Sequence, residues 1–204
     1  MANKGQETEA KFYVTHLARA AARLDELHAR LNQSRVLETN LRFDLPDGSL
    51  TTSGRVLRLR HDTQARLTFK GAGQNRSGVL DRQEIEFIVE DDQKARQFLE
   101  ALGYQKSGYY EKYRTTYELE ETLIMLDELP YGSFLEIEGE TVEQIQAVSA
   151  KLRLHWSAAI PSSYTALFES LRKKMQLPFQ DISFENFRDI RVTPADLNVN
   201  PADE

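Results

Sequence analysis

Charge at every second position is the feature that most restricts what this chain can fold into. Over Gln6–Val14, Glu7, Glu9 and Lys11 alternate with Thr8, Ala10 and Phe12. In a β-strand, successive side chains point to opposite faces, so this run has one charged face and one mostly apolar face. The pattern returns downstream. Arg58 and Arg60 alternate with Leu57 and Leu59, and Lys70 stands opposite Leu67 and Phe69 in parity. Glu84 and Glu86 oppose Ile85 and Phe87, Lys112 and Arg114 oppose Tyr113, and Asp127 closes an apolar run. Glu136 and Glu138 oppose Leu135 and Ile137. The spacing predicts eight strands, at Gln6–Val14, Arg35–Asp44, Gly54–His61, Ala65–Gly71, Arg82–Glu90, Gly108–Glu118, Thr122–Asp127 and Ser133–Glu140. All but the second carry the charged face.

Four amphipathic helices are predicted between and after these strands. The first, His16–Asn32 with Thr15 as its N-cap, has Leu17, Ala20, Leu24, Leu27 and Leu31 as its stripe. The others are Asp91–Leu102, stopped by Gly103, then Thr141–Leu154 and Ser162–Met175. Leu45-Pro46-Asp47-Gly48 and Pro130-Tyr131-Gly132 read as turns. The Gly-rich stretch 71–78 lacks the Gly-Lys-Ser/Thr ending and a following helix, so it reads as a mobile hairpin loop and not as a phosphate loop. Residues 1–175 are expected to form one domain. The extension 176–204 is expected to dock over its first half and to be disordered from Thr193 to Glu204.

The alternation admits two architectures. One is an antiparallel sheet with a wet outer face. The other is an α+β fold: an eight-stranded antiparallel β-barrel whose charged face is its lumen and whose apolar outer face is covered by the helices. The charges come as tight pairs, with few Ser, Thr or Gln among them, which favours the barrel. A lumen with clustered carboxylates needs a divalent cation, and one with clustered Arg and Lys needs a polyanion. The chain has no cysteine, so disulfides and thiolate metal sites are excluded. Oxygen ligands alone suit Mg2+ or Mn2+. The polyanion that also binds such an ion is a polyphosphate. A net charge of −6 excludes a basic field over the whole molecule, and no apolar run is long enough to span a bilayer. Neither a nucleic-acid duplex nor a membrane is therefore expected as a partner. Met1–Gly5 is too polar to begin a secretory signal, and a cytoplasmic protein is expected, as a monomer or homodimer.

In its motifs the sequence resembles the CYTH superfamily, the triphosphate tunnel metalloenzymes. The Glu-x-Glu-x-Lys element stands at Glu7-Thr8-Glu9-Ala10-Lys11. It is followed in the family's order by Arg58-Leu59-Arg60, Leu67-Thr68-Phe69-Lys70, Glu84-Ile85-Glu86, Glu111-Lys112-Tyr113-Arg114, Leu126-Asp127 and Glu136-Ile137-Glu138. Ser163-Tyr164, opening the last helix, also looks like the family. The resemblance implies an eight-stranded tunnel that binds a triphosphate-containing small molecule. It implies that Lys11, Arg58, Arg60, Lys70, Lys112 and Arg114 grip phosphate oxygens. Glu7, Glu9, Asp127, Glu136 and Glu138 would hold one or two divalent ions, with Glu84 and Glu86 either joining them or orienting the cations. Lys11, Glu9, Arg58 and Lys70 would stand nearest the chemistry. Two activities fit that pattern. One is metal-dependent hydrolysis of tripolyphosphate or of an organic triphosphate. The other is class IV adenylate cyclase chemistry, which converts ATP to cyclic AMP and pyrophosphate. Hydrolysis needs no adenine pocket and is expected first.

Overall fold

The computed structural model describes residues 6–76 and 79–203. Its strands are β1 (Gln6–Tyr13), β2 (Arg30–Asp44), β3 (Val56–His61), β4 (Ala65–Lys70), β5 (Gln74–Arg76), β6 (Val79–Val89), β7 (Gln105–Leu119), β8 (Thr122–Leu129) and β9 (Gly132–Glu138). All pair antiparallel in the order β1-β9-β8-β7-β2-β3-β4-β6, and β6 returns to β1 through Gln6↔Gln83 to Glu9↔Leu80. Eight strands thus close a barrel, and the short β5 adds to β6 outside the ring. Closure pairs the edges that an open sheet would leave free. Pro130 and Tyr131 make the two-residue β8–β9 connection, and Gly132, which opens β9, sits at φ +153°. An added Cβ there would meet Tyr13 at 2.8 Å.

The helices α1 (Leu17–Glu26), α2 (Ser49–Thr52), α3 (Asp92–Ala101), α4 (Val142–Lys151), α5 (Tyr164–Met175) and α6 (Pro194–Leu197) lie outside the barrel. On one side, Leu24 of α1 and Ile145 and Val148 of α4 bury the outward Ala10, Phe12, Leu135 and Ile137. On the other, Leu99 of α3 packs on Phe43, Leu57 and Leu59. Coverage stops short of β6, where the outward Ile85 and Phe87 stay exposed. Asp91, Thr141 and Ser163 cap α3, α4 and α5, each accepting from a backbone N–H in the first turn. Gly103, at φ +92°, follows α3.

α5 lies across one end of the barrel. There Tyr13, Tyr110, Leu129 and Phe134, all in phase with lumen residues, meet Tyr164, Leu167, Phe168 and Leu171. The C-terminal extension completes this core with Leu177, Ile182, Phe187 and Leu197. It also covers the part of β7 that β8 does not reach, through Ile182 N→Tyr109 O and Glu111 N→Ile182 O.

Three expectations need correction. The first helix ends at Glu26, not Asn32. His28 sits at φ 56°, and from Arg30 the chain joins a β2–β7 ladder that outweighs the helical spacing of Leu27 and Leu31. Leu31 is consequently an exposed strand residue. Thr15 is not the side-chain cap of α1. The Asp203 carboxylate accepts from the backbone N–H groups of Thr15 and His16 instead. The end of the chain is also ordered where disorder is expected. α6 carries a Thr193–Asp196 capping box, Ala202 is fully buried, and Ala202 N donates to Tyr13 O at 2.9 Å. Glu204 and residues 77–78 of the expected hairpin loop lie outside the described residues.

Candidate active site

The barrel encloses a cavity of about 460 Å³. That volume lies in the range of small-molecule sites. Strand parity decides its lining. Glu7, Glu9 and Lys11 of β1, Arg58 and Arg60 of β3, Lys70 of β4, and Glu84 and Glu86 of β6 face it. So do Lys112 and Arg114 of β7 and Glu136 and Glu138 of β9. Asp127 is the exception. It is fully buried behind the lining, accepting from Lys112 Nζ (2.9 Å), Arg114 Nε (2.6 Å) and Tyr164 Oη (2.8 Å).

The charges are sorted by wall. Strands β6, β1 and β9 are consecutive in the ring and carry Glu84, Glu86, Glu7, Glu9, Glu136 and Glu138 against the cations Arg82 and Lys11. Strands β7, β2 and β3 are consecutive on the facing side and carry Lys112, Arg114, Arg42, Arg58 and Arg60 against the single carboxylate of Glu38. On the acidic wall, Glu9 lies directly across from Glu138 in the β1–β9 register. Like charges in that relation repel. Burial, then the charges of Glu7, Glu84 and Glu9, push the Glu138 carboxyl up to about 7. Burial, then Glu136 and Glu7, raises that of Glu9. Burial also raises Glu84, which Lys70 only partly offsets. Glu7 goes the other way. Burial would raise it, but Lys70 at 2.5 Å and Arg82 at 2.8 Å outweigh burial and hold it at about 2. Glu136 is likewise held well below its ordinary value, against burial, by Lys11 (3.1 Å), Lys112 and Arg114.

The acidic wall therefore carries more negative charge than its own cations neutralise. Its donors are carboxylate oxygens, the type a divalent ion takes, and Glu9 and Glu138 are a like-charge pair among them. As the side chains stand, no three carboxylate or histidine groups among the described residues are at metal-ligand spacing.

Several lining residues escape sequence reasoning. Glu38 of β2 is almost fully buried and faces Arg60 at 3.3 Å and Lys112 at 3.7 Å. These cations, with Arg114, hold it well below the usual carboxylate range despite burial. Arg42 of β2, Tyr110 of β7 and Thr165 of α5 also line the cavity. Arg82, in phase with Glu84 and Glu86, and Ser163 and Tyr164, which the family resemblance marks, line it as their sequence position suggests. The signal for β2 was present as Glu38, Asn40 and Arg42 at alternate positions. For Tyr110 there was none, because an aromatic in strand phase reads as core, and Tyr164 is marked only by the resemblance of Ser163-Tyr164 to the family. Tyr164 joins the lumen to the core at the α5 end. Its hydroxyl donates to Asp127, and Lys11 Nζ stands 4.2 Å from its ring centroid.

The CYTH domain family model matches residues 5–159. No curated protein matches the chain. Among solved structures, the PH1012 protein of Pyrococcus horikoshii is 25% identical, with a TM-score of 0.66 over 78% of this chain and 96% of that one. A candidate adenylate cyclase of Vibrio parahaemolyticus is 21% identical, with a TM-score of 0.73 over 81% of this chain and 99% of that one. HpAC1 of Hippeastrum, a candidate adenylyl cyclase with a dominant triphosphatase activity, is 21% identical. Its TM-score is 0.55, over 95% of this chain and 100% of that one. The last two are likenesses of fold.

Proposed function

The chain belongs to the CYTH domain family, and on that premise we propose that it hydrolyses a triphosphate bound along the barrel lumen with the help of Mg2+ or Mn2+. One observation carries the reading: an acidic wall with unneutralised carboxylates faces a cationic wall across one cavity. A polyphosphate held together with a divalent ion would satisfy both walls at once. Glu9 and Glu138, with Glu7, Glu84 and Glu136 beside them, are the residues that would hold the ion. When bound, it would neutralise phosphate charge and lower the cost of attack by water.

The chain's own residues do the rest. Lys11, Arg58, Arg60, Lys70, Lys112 and Arg114 bind the non-bridging oxygens and spread the charge that develops on the transferring phosphoryl group. Glu86 and Glu38 orient Arg60, whose Nη atoms they accept from at 2.5 and 3.3 Å. Asp127 is given the same task for Lys112 and Arg114 in place of metal binding, because its oxygens already accept from these cations and from Tyr164. The new bond joins water oxygen to the terminal phosphorus, and the water proton passes to solvent or to the released phosphate. The bridging P–O bond breaks, and its electrons leave with the diphosphate. Hydrolysis needs no base-stacking surface, and the two lining tyrosines are both engaged, Tyr110 with Arg58 and Tyr164 with Asp127.

The test is a substrate panel of tripolyphosphate, ATP and thiamine triphosphate, with each metal, read for phosphate, pyrophosphate and cyclic AMP. Phosphate release that requires metal is expected. Arg58→Ala should lower it by about tenfold to a hundredfold, the worth of a charge-assisted contact, with no rescue by added metal. Cyclic AMP with pyrophosphate from ATP, and no phosphate release, would replace hydrolysis with cyclisation.

A further inference from the structure

The lumen contains a second like-charge pair, and it has the opposite sign. In the β2–β3 register Arg42 lies directly across from Arg58. Guanidinium groups so placed repel, as Glu9 and Glu138 do, and they need an anion. Arg42 is the unpaired member. Its polar contact is Nη1 donating to Thr165 Oγ1 at 2.8 Å, and among the described residues no carboxylate lies within ion-pair range of it. The other lumen cations each have such a carboxylate: Lys11 has Glu136, Lys70 has Glu7, Arg82 has Glu7, and Lys112 has Asp127. Arg58 has only Glu86 at 3.8 Å, and its Nε is buried without a partner. Thr165 belongs to the first turn of α5, which carries no acidic residue and whose N-cap is Ser163. The backbone N–H groups of that turn add partial positive charge at the same place.

We propose that Arg42, Thr165 and Arg58 form a phosphate subsite at the α5 end of the lumen, which holds the phosphate group remote from the acidic wall. The inference rests on the triphosphate reading above and adds to it a wall residue and a helix terminus outside the motif set. The paired arginines hold the chain's far end while the paired glutamates hold the ion at the other. Burial, with the charges of Arg58 and Arg82, makes the Arg42 cation costly to keep. Tyr110 and Asp44 offset only part of that cost, and a bound phosphate would remove the rest.

Calorimetric titration of Mg2+-tripolyphosphate, together with unliganded thermal melts, tests this on the parent, Arg42→Ala, Arg42→Met and Thr165→Val. Arg42→Ala and Arg42→Met should each weaken binding by about tenfold to a hundredfold, and Thr165→Val by less. Their unliganded melts should match or exceed the parent's, because a repulsive charge is gone. A merely structural Arg42 would lower the melt instead. Parent-like binding by both Arg42 variants overturns the subsite. So does weakened binding that tracks a lowered unliganded melt. If the parent itself neither binds nor turns over tripolyphosphate, the triphosphate reading fails first, which is a distinguishable result.

Discussion

Glu138 is the residue whose behaviour separates this account from an ordinary charged surface. In the folded, metal-free protein its carboxyl is raised from an ordinary 4.5 to about 7 by burial and by Glu7, Glu84 and Glu9. The folded chain thus keeps a proton that the unfolded chain releases, and stability must fall as pH rises between those two values. Glu9 and Glu84, also raised, act in the same sense. Glu7, depressed to about 2, contributes stability that is fully present above its unfolded value and is lost only as pH falls towards 2. Glu7 therefore does not mask the trend. Melts in chelator from about pH 5 to about pH 7.5 should show declining stability, and Glu138→Gln should flatten the decline. An unchanged slope in that variant would remove Glu138 from the acidic cluster. The parity rule made Glu138 legible, because one alternation on one strand suffices to place it. Arg42 was less legible. It follows Glu38 and Asn40 in phase, but its meaning comes from Arg58 on the next strand, and cross-strand register cannot be read along one segment.

Among the elements, the C-terminal extension departs furthest from its composition. Its Asp-, Asn- and Pro-rich end looks solvated, yet it is fastened by backbone bonds of Ala202 with Tyr13 and His155 and by the Asp203 carboxylate, which accepts from the backbone N–H groups of Thr15 and His16. Such contacts depend on backbone geometry at the far end of the chain, which no local spacing reveals. Its apolar residues, Phe179, Ile182 and Phe187, were legible as anchors. Phe187 packs on Tyr131, Phe168 and Phe179 at ring-centroid distances of 6.0, 6.1 and 5.2 Å. Phe187→Ala should cost about 3–5 kcal/mol, the usual range for emptying a packed aromatic site. Asp203→Ala should cost about 1 kcal/mol, as for a lost N-cap. Urea titrations measure both. A Phe187→Ala variant as stable as the parent would mean that the extension is not part of the core at the α5 end. Because α5 supplies Tyr164 and Thr165 to the lumen, loosening this core should also reduce triphosphate affinity.

At the scale of the whole molecule, the fold brings face to face two sets of charges, each repulsive within itself and attractive to the other. The barrel was legible because its outward residues need helices to cover them and its inward residues need each other. The sorting into an acidic wall and a basic wall was not legible, since it depends on the ring order β1-β9-β8-β7-β2-β3-β4-β6, which only long-range pairing decides. That sorting is the central claim, and a crystal structure with Mn2+ and a non-hydrolysable triphosphate analogue tests it most directly. The account predicts an anomalous Mn2+ peak against Glu9 and Glu138, with the phosphate chain extending from it to Arg58, Lys112 and Arg114. A metal bound elsewhere, or a phosphate chain outside the lumen, would contradict it.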